Sequence, residues 1–315
     1  MIAERSRPLA IRLAIGLAAA SSLAGCGLGA GRAPTAIQLT VTRDFGTAPL
    51  RSWRAPHARG EETVMSLLMR NASVSTRYGG GFVESIDGVS GGQQGGRPVD
   101  WFYYVNGIEA SKGAASTRLH AGDHIWWDLH DWSQTDHVPA VVGSFPEPFL
   151  NGIGGKRLPV RVECILVRGY SCGAVTERLR ATGVPAAVAA AGTGAEPRTL
   201  RVVVATWRAA SGDPAAGAIK RGPSASGVYA RFSADGKALF VLDQNGRPAR
   251  TLGPGSGLIA ATAMAESAPV WVVTGTDAAG VEHAARAFSG AVLADRFAVA
   301  VAPSGRALAA PQVTP

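Results

Sequence analysis

The sequence has 315 residues, enough for two domains, and its 46% hydrophobic content can supply folded cores, which excludes a chain that is disordered throughout. With 40 Gly, 19 Pro and only 17% charged residues, it favours many turns and loops over long solvated helices. The formal net charge is +8, but Lys and Arg are scattered and do not alternate with aromatic residues. We therefore expect no nucleic-acid binding, and the positive charge indicates attraction to an anionic cell envelope.

The N-terminus has the pattern of a leader that ends at a cysteine. Three arginines lie within the first twelve residues and precede an apolar run, residues 13–23, which is too short to span a bilayer comfortably. Residues 23–26 then read Leu-Ala-Gly-Cys. This pattern resembles the lipobox of bacterial lipoproteins. The resemblance implies that residues 1–25 are a signal peptide and that Cys26 becomes the lipidated first residue.

A lipid anchor would account for the residues that follow. Residues 26–34 lack apolar periodicity and are typical of a flexible tether. No later segment holds about 18 consecutive apolar residues, so we expect a lipid-anchored protein outside the cytoplasm, with the membrane as a partner through its acyl chains. An ordinary secretory leader with an incidental cysteine is the alternative.

Residues 35–132 are predicted to form a first domain. The segment "AIQLTVTRDF" alternates apolar and polar residues, as a half-buried strand does. After a turn-rich piece, Val64, Leu67 and Leu68 recur at helical spacing behind an acidic start. Short strands are predicted for "VSTRY", "FVESI", "WFYYV" and "HIWWDLHDW", and the glycines of "DGVSGGQQGGRP" predict an exposed loop. This order suits a small sheet around a helix.

The same region resembles a known family. The run from "GEETVMSLLMRNASVSTRYGGGFVESIDGV" through "WFYYVNG" to "RLHAGDHIWWDL" is similar to the transcobalamin-like C-terminal domain of bacterial surface proteins, a family of unknown function. The similarity covers about residues 60–130. It implies a β-grasp-like fold and, because such a domain covers one side of cobalamin in transcobalamins, a cobalamin-like small molecule as ligand. The helical barrel that holds most of the corrinoid in transcobalamins has no counterpart in this sequence.

A connector, residues 133–158, and a second domain, residues 159–310, complete the predicted organisation. The connector carries Val141, Val142, Phe145 and Phe149, which we expect to pack on both domains because water would solvate them poorly. The overall class is α+β, with a β-grasp-like domain followed by an α/β domain that has a mixed sheet.

The second domain alternates strand and helix patterns. Strands are predicted for "VRVECILV" and "LRVVVATW", with the helix "CGAVTERLRATGV" between them and a terminating Gly183. The turns Asp235-Gly236 and Asn245-Gly246 predict hairpins. "GLIAATAMAES", "PVWVVTGT", "DAAGVEHAARAFSG" and "RFAVAVAP" then predict helix, strand, helix and strand.

An aromatic-rich ribbon runs from residue 101 to residue 127. Because side chains alternate along a strand, Trp101 and Tyr103 should face one way and Phe102 and Tyr104 the other, so both faces of the sheet carry rings. A helix covers only one face, and the other face either packs on the connector and second domain or offers a stacking platform to a ligand. The candidate platform residues are Trp101, Tyr103, Tyr104, Asn106, Trp126 and Trp127.

A dense set of imidazoles and carboxylates follows the ribbon. The set comprises His120, Asp123, His124, Asp128, His130, Asp131, Asp136 and His137. These groups suit zinc, but side chains on one strand face are separated by roughly 7 Å per two residues, too far apart for most to reach one ion. We therefore predict no metal site and no cofactor, and we interpret Asp123 as a turn residue.

Other reactive groups have plain structural interpretations. Cys164 and Cys172 could form a disulfide if a helix folds back on its strand, and a reactive thiol at Cys172 is the alternative. Thr276 or Asp277 is expected to cap a helix, and Ser256 lies in "GPGSG", where Pro254 argues against a nucleophile elbow. No catalytic residue is predicted.

These patterns favour a cell-surface lipoprotein that is not an enzyme and acts as a binding or accessory component. One hypothesis is capture of a small molecule beside an uptake transporter, with the aromatic platform as its site. The alternative is a structural or protein-interaction role in the cell envelope, with the aromatic residues buried between domains.

Overall fold

The computed structural model describes residues 32–165, 170–192, 197–265 and 267–313. The predicted signal peptide, Cys26 and most of the predicted tether lie outside these residues. Within the described ranges, no helix is both long and apolar enough to cross a membrane. Strands predominate over helices, and the predicted α+β class is confirmed. We refer to residues 35–132 as the first unit and to residues 159–310 as the second unit.

The first unit has a mixed sheet with the strand order β2-β1-β9-β7-β6, in which β8 pairs with β7. A smaller sheet has the order β3-β4-β5. The elements are β1 (Gln38–Arg43), β2 (Ala48–Trp53), α1 (Val64–Asn71), β3 (Val74–Arg77), β4 (Phe82–Ile86), β5 (Val89–Ser90), β6 (Gly92–Gln94), β7 (Arg97–Val105), β8 (Ile108–Glu109) and β9 (His124–Asp131). Strands β1 and β9 are parallel neighbours, and the outer pairs are antiparallel.

Helix α1 covers one face of this sheet, as the sequence predicted. It begins because the Thr63 hydroxyl accepts a hydrogen bond from the Ser66 amide at 3.2 Å, which satisfies a free N–H of the first turn. Val64, Leu67 and Leu68 are fully buried against the apolar side chains of β1, β7 and β9. A helix lying across a sheet with a central parallel pair fits the β-grasp-like arrangement.

Two local predictions in the first unit differ from the structure. The turn-rich piece after β1 contains strand β2, which pairs antiparallel with β1. The glycine-rich segment expected to be a loop contains β5 and β6, although it is largely exposed. Both strands of this segment are short and hydrogen-bonded to longer partners, so pairing rather than side-chain periodicity decides their conformation.

The second unit is built on a mixed sheet with the order β11-β10-β12-β17-β16-β18-β19, and a small sheet has the order β13-β14-β15. Strands β10, β11, β12 and β17 are parallel to one another. The strands are β10 (Val160–Ile165), β11 (Ala186–Ala189), β12 (Leu200–Thr206), β13 (Ala230–Phe232), β14 (Leu239–Leu242), β15 (Pro248–Leu252), β16 (Gly257–Thr262), β17 (Val270–Gly275), β18 (Ala298–Val301) and β19 (Ala307–Ala310). The helices are α2 (Tyr170–Ala181), α3 (Trp207–Ala210), α4 (Pro214–Gly217), α5 (Pro223–Ser226), α6 (Ala278–Ala287) and α7 (Gly290–Leu293).

Each face of the large sheet has its own core. Helices α2 and α6 pack on one face, where Trp271 and Phe288 are buried. The short helices α3 and α4, together with strands β13 and β14, cover the other face around Trp207 and Phe232. The predicted hairpins at Asp235-Gly236 and Asn245-Gly246 are confirmed as the turns on either side of β14.

One prediction in the second unit was wrong. The segment "GLIAATAMAES" was expected to be a helix, but residues 257–262 form strand β16, which pairs antiparallel with both β17 and β18. All six residues of the strand are buried. A strand buried on both faces has a continuous apolar sequence, which periodicity cannot distinguish from a buried helix.

The connector packs on both units, as predicted. Val141 belongs to an aromatic cluster between the units. Val142 and Phe149 are buried in the α2 and α6 side of the second unit, and Phe145 packs against it. The connector is therefore part of the folded core rather than a free linker.

The turn between β1 and β2 contacts the second unit directly. Gly46 has a φ of +77°, and a Cβ placed there would lie 2.1 Å from the carbonyl oxygen of Asp295. Only glycine permits this approach, because the clash would involve backbone that cannot rotate away.

We predict that Gly46→Ala lowers the free energy of unfolding by clearly more than Gly88→Ala. Gly88 also has a positive φ, of +81°, but nothing lies within 4 Å of a Cβ placed there. The control should lose only about 1 kcal/mol for its backbone conformation. Chemical denaturation of both variants measures the difference, and equal losses would contradict the close contact between the units.

Candidate functional site

The aromatic ribbon divides between the two faces of the first sheet as alternation predicts. Trp101 and Trp127 are buried on the α1 side, and Tyr103 packs against the same core. The rings of Tyr103 and Trp127 stack with centroids 4.9 Å apart. The Tyr103 hydroxyl donates to the carbonyl of Lys112 and shares a 2.8 Å hydrogen bond with Thr117. These three rings therefore fill the inside of the first unit.

The opposite face carries Tyr104 and Trp126, which are fully buried. Phe297, directly before β18 in the second unit, meets both rings edge-on, with centroids 5.6 Å from Tyr104 and 5.4 Å from Trp126. We call the whole set the aromatic interface. Its buried members are Phe45, Tyr104, Trp126, Val138, Val141, Tyr229, Leu242 and Phe297.

This packing contradicts the prediction that these residues form an exposed stacking platform. Trp126 and Tyr104 have no exposed surface, Trp127 retains 2% and Trp101 6%. A stacking platform needs an accessible ring face, and here α1 covers one set of rings while the connector and second unit cover the other. Asn106 is also buried: its amide nitrogen donates to Asp123 at 2.9 Å and to the Gly152 carbonyl at 3.0 Å.

A buried carboxylate organises the polar part of the aromatic interface. Asp128 on β9 accepts hydrogen bonds from the Thr42 hydroxyl at 2.5 Å and from the amides of Phe45 at 3.1 Å and Gly46 at 2.8 Å. It is also 2.8 Å from Nδ1 of His130. Because these groups satisfy the buried carboxylate, they fix the β1–β2 turn against the sheet.

Asp123, Asp131 and His137 of this segment also bind protein groups. Asp131 accepts from the Ser133 amide at 2.8 Å, and His137 lies 2.5 Å from Glu109. Asp123 accepts from the His120 amide at 2.8 Å, which is the turn role that the sequence predicted. Within the described ranges, no three His, Cys, Asp or Glu side chains are grouped closely enough to hold a metal ion.

The other candidate residues have structural partners. Cys164 and Cys172 form a disulfide, with their Cα atoms 6.1 Å apart. Asp277 caps α6 by accepting from the Gly280 amide at 2.9 Å, as predicted. The hydroxyl of Ser256 is buried and donates to the Gly253 carbonyl at 2.6 Å.

A cleft of about 580 Å³ lies where the first unit, the connector and the second unit meet. We call it the interdomain cleft. Its lining comprises Thr35, Ala36, Gln38, Thr40, Ser52, Arg54, Ala121, Gly122, His124, Gly143, Ser144, Phe145, Pro146, Glu147, Leu150, Asn151, Ala294 and Asp295. The first unit supplies hydroxyl, amide and guanidinium groups, the connector adds an amide and a carboxyl, and the turn after α7 adds a second carboxyl.

Burial shifts the ionisation of the cleft towards neutral forms. It raises the pKa of Glu147, although hydrogen bonds from Asn151 oppose the shift. It also raises the pKa of Asp295, opposed by the charge of Arg296. Burial lowers the pKa of His124 to about 4, and its Nε2 shares a 3.0 Å hydrogen bond with the Thr40 hydroxyl. His124 is thus a neutral imidazole at neutral pH.

The sequence indicated only part of this cleft. His124 stood out in the polar segment, but Gln38, Arg54 and Asp295 carry no local signal. They come together because β1 pairs with β9 and because the turn after α7 lies against the β1–β2 turn. Both contacts join residues far apart in sequence, so no short motif could reveal them.

The sequence profile of a domain of unknown function (DUF4430) matches residues 61–131. This family is often called transcobalamin-like, so the expected similarity of this segment is confirmed. The match covers the part of the first unit from the start of α1 to the end of β9 and leaves the connector and second unit outside it. No curated protein matches the chain.

We predict that His124→Gln makes stability less sensitive to acid. The unfolded imidazole takes up a proton near its ordinary pKa of 6.5, whereas the folded one stays neutral down to about 4. His124 therefore supports folding fully above pH 6.5 and loses up to about 3 kcal/mol of that support as the pH falls to 4.

Unfolding free energies between pH 7.5 and pH 4 test this prediction. As the pH falls, the unfolding free energy of wild type should decrease more than that of His124→Gln. Ser52→Ala, which changes the same cleft without removing a titratable group, should follow the wild-type profile. Parallel profiles for wild type and His124→Gln would rule out the buried neutral imidazole.

Proposed function

We propose that this protein is a lipid-anchored, extracytoplasmic binding protein without catalytic activity, and that its interdomain cleft takes up a small polar molecule. The cleft is the observation that carries the proposal. The lipobox-like residues 23–26 support the anchor and the location outside the cytoplasm. The candidate nucleophiles Ser256 and Cys172, which are tied to a carbonyl and a disulfide respectively, support a role that is not enzymatic.

The chemistry of the cleft favours a ligand rich in hydroxyl or amide groups. Its volume of about 580 Å³ lies within the range of small-molecule sites. Hydroxyls, amides and the neutral imidazole of His124 can exchange hydrogen bonds with such a ligand without burying strong charges. Phe145, Pro146 and Leu150 supply an apolar wall against which a ring could rest. Clefts between domains are frequent ligand sites.

A structural or protein-interaction role in the cell envelope is the second candidate. The aromatic interface favours it, because the rings that made a stacking site attractive are buried between the units. In this version the two units form one rigid body on a tether. Cobalamin as the ligand rests only on the similarity of residues 61–131. A transporter would be a partner only if the protein captures a small molecule for uptake.

Blocking the cleft tests the capture proposal. Ala294 is exposed and lines the cleft, whereas Ala291 is exposed three residues earlier and outside the lining. Calorimetry with neutral mono- and disaccharides, and with cyanocobalamin, should detect a ligand for wild type. Ala294→Trp should abolish that binding and Ala291→Trp should retain it. Equal binding by both variants would exclude the cleft, and no binding to any probe would favour the interaction role.

Replacing the lipidated residue tests the anchor. Expressed in a bacterium, the wild-type chain should partition into the detergent phase and carry a diacylglyceryl group on its first residue by mass spectrometry. Cys26→Ser should carry no diacylglyceryl group, because serine has no thiol to alkylate. Ser22→Ala, outside the four-residue motif, should behave like wild type. A wild-type protein without acyl groups would contradict the anchor.

A further inference from the structure

The second unit contains another cavity, of about 710 Å³, between α3 and the β13–β14 hairpin. We call it the basic pocket. Its lining comprises Trp207, Arg208, Ser211, Lys220, Arg231, Phe232, Ser233, Ala234, Asp235, Gly236, Lys237 and Phe240. None of these residues contributes to the interdomain cleft, so the basic pocket is a separate site.

Positive charge dominates the basic pocket. Arg208, Lys220, Arg231 and Lys237 are all exposed, and among the described residues none of them forms an ion pair. The pocket carboxylate, Asp235, accepts from the Ser233 hydroxyl at 2.6 Å and from the Lys237 amide at 3.1 Å. The four cations repel one another, and the one carboxylate among them already accepts hydrogen bonds from its own turn. An anion in the cavity would relieve that repulsion.

Packed aromatic rings form the wall that carries these cations. Trp207 and Phe232 stack with centroids 4.4 Å apart. The guanidinium of Arg231 lies 5.7 Å from the centre of the Phe240 ring, a cation–π contact that favours one position of the charge. Gly236 brings the hairpin turn close to the ring of Trp207. The wall is thus a preformed surface.

The position of the pocket in the sheet agrees with a ligand site. Helix α3 directly follows β12, so Trp207 and Arg208 lie at the carboxyl end of a parallel strand. Open α/β sheets bind ligands outside the carboxyl ends of their strands.

We infer that the basic pocket binds a ligand that carries a phosphate group. Guanidinium groups match phosphate oxygens through paired hydrogen bonds, and lysines add positive charge without directional demands. The excess of positive charge matches the multiple negative charges of a phosphate better than the single negative charge of a carboxylate. Two sources offer this chemistry, a soluble phosphate ester and the headgroup of an anionic phospholipid.

Calorimetry on the full-length lipidated chain in neutral detergent tests this inference, with inorganic pyrophosphate as the probe. Wild type should bind, and the double variant Arg231→Gln/Lys237→Gln should bind roughly tenfold or more weakly because two charged contacts are lost. The control Arg247→Gln/Arg250→Gln changes the net charge equally, at exposed positions in β15 and in the turn before it, outside the pocket. It should keep wild-type affinity.

Further probes separate the sources and the competing anions. Binding of glycerol 1-phosphate in preference to glycerophosphoglycerol would support a soluble phosphate ester, and the reverse preference would support a phospholipid headgroup. The inference is overturned if pyrophosphate does not bind, if the two double variants lose equal affinity, or if citrate binds as tightly as pyrophosphate. Ala294→Trp should leave pyrophosphate binding unchanged, so failure here is distinguishable from failure of the cleft proposal.

Discussion

The insertion of Phe297 against the far face of the first sheet is the contact on which the two-unit structure depends. Its ring meets the rings of Tyr104, Trp126 and Phe45 edge-on, so the first unit, the β1–β2 turn and the second unit share one apolar core. Burial of large rings is the strongest favourable contribution such an interface can have. Asp128 fixes the orientation of this contact, because its hydrogen bonds hold the turn that contains Phe45.

The interdomain cleft is a consequence of this contact. Gly143 lies so close to Arg296 and Trp126 that a Cβ would be 2.6 Å from each, and a Cβ on Gly46 would be only 2.1 Å from Asp295. These approaches bring the turn after α7 against the first unit, and His124 and Glu147 line the remaining space. The dimensions of the cleft are therefore set by backbone contacts, which deform less than side-chain contacts do.

The cleft and the basic pocket differ in the ligands that they can accept. In the cleft, burial favours the uncharged forms of Glu147, Asp295 and His124, which suits hydrogen bonding to a neutral molecule. In the basic pocket the cations are exposed to solvent, which suits an anion attracted from solution. The two sites thus differ in solvent exposure: the interdomain cleft suits a polar ligand, and the basic pocket suits a charged one.

The sequence by itself determined the local elements that have a clear period or cap. The alternation in β1, the helical spacing of Val64, Leu67 and Leu68 in α1 and the turn at Asp235 each depend on neighbours a few residues away, and each was predicted. It also indicated that both faces of β7 and β9 carry rings. Only the tertiary structure decided which face would be covered by what, that residues 257–262 form a strand, and which side chains line the cleft. These features depend on contacts between residues far apart in the chain, such as Phe297 with Trp126, whose energy no local pattern encodes.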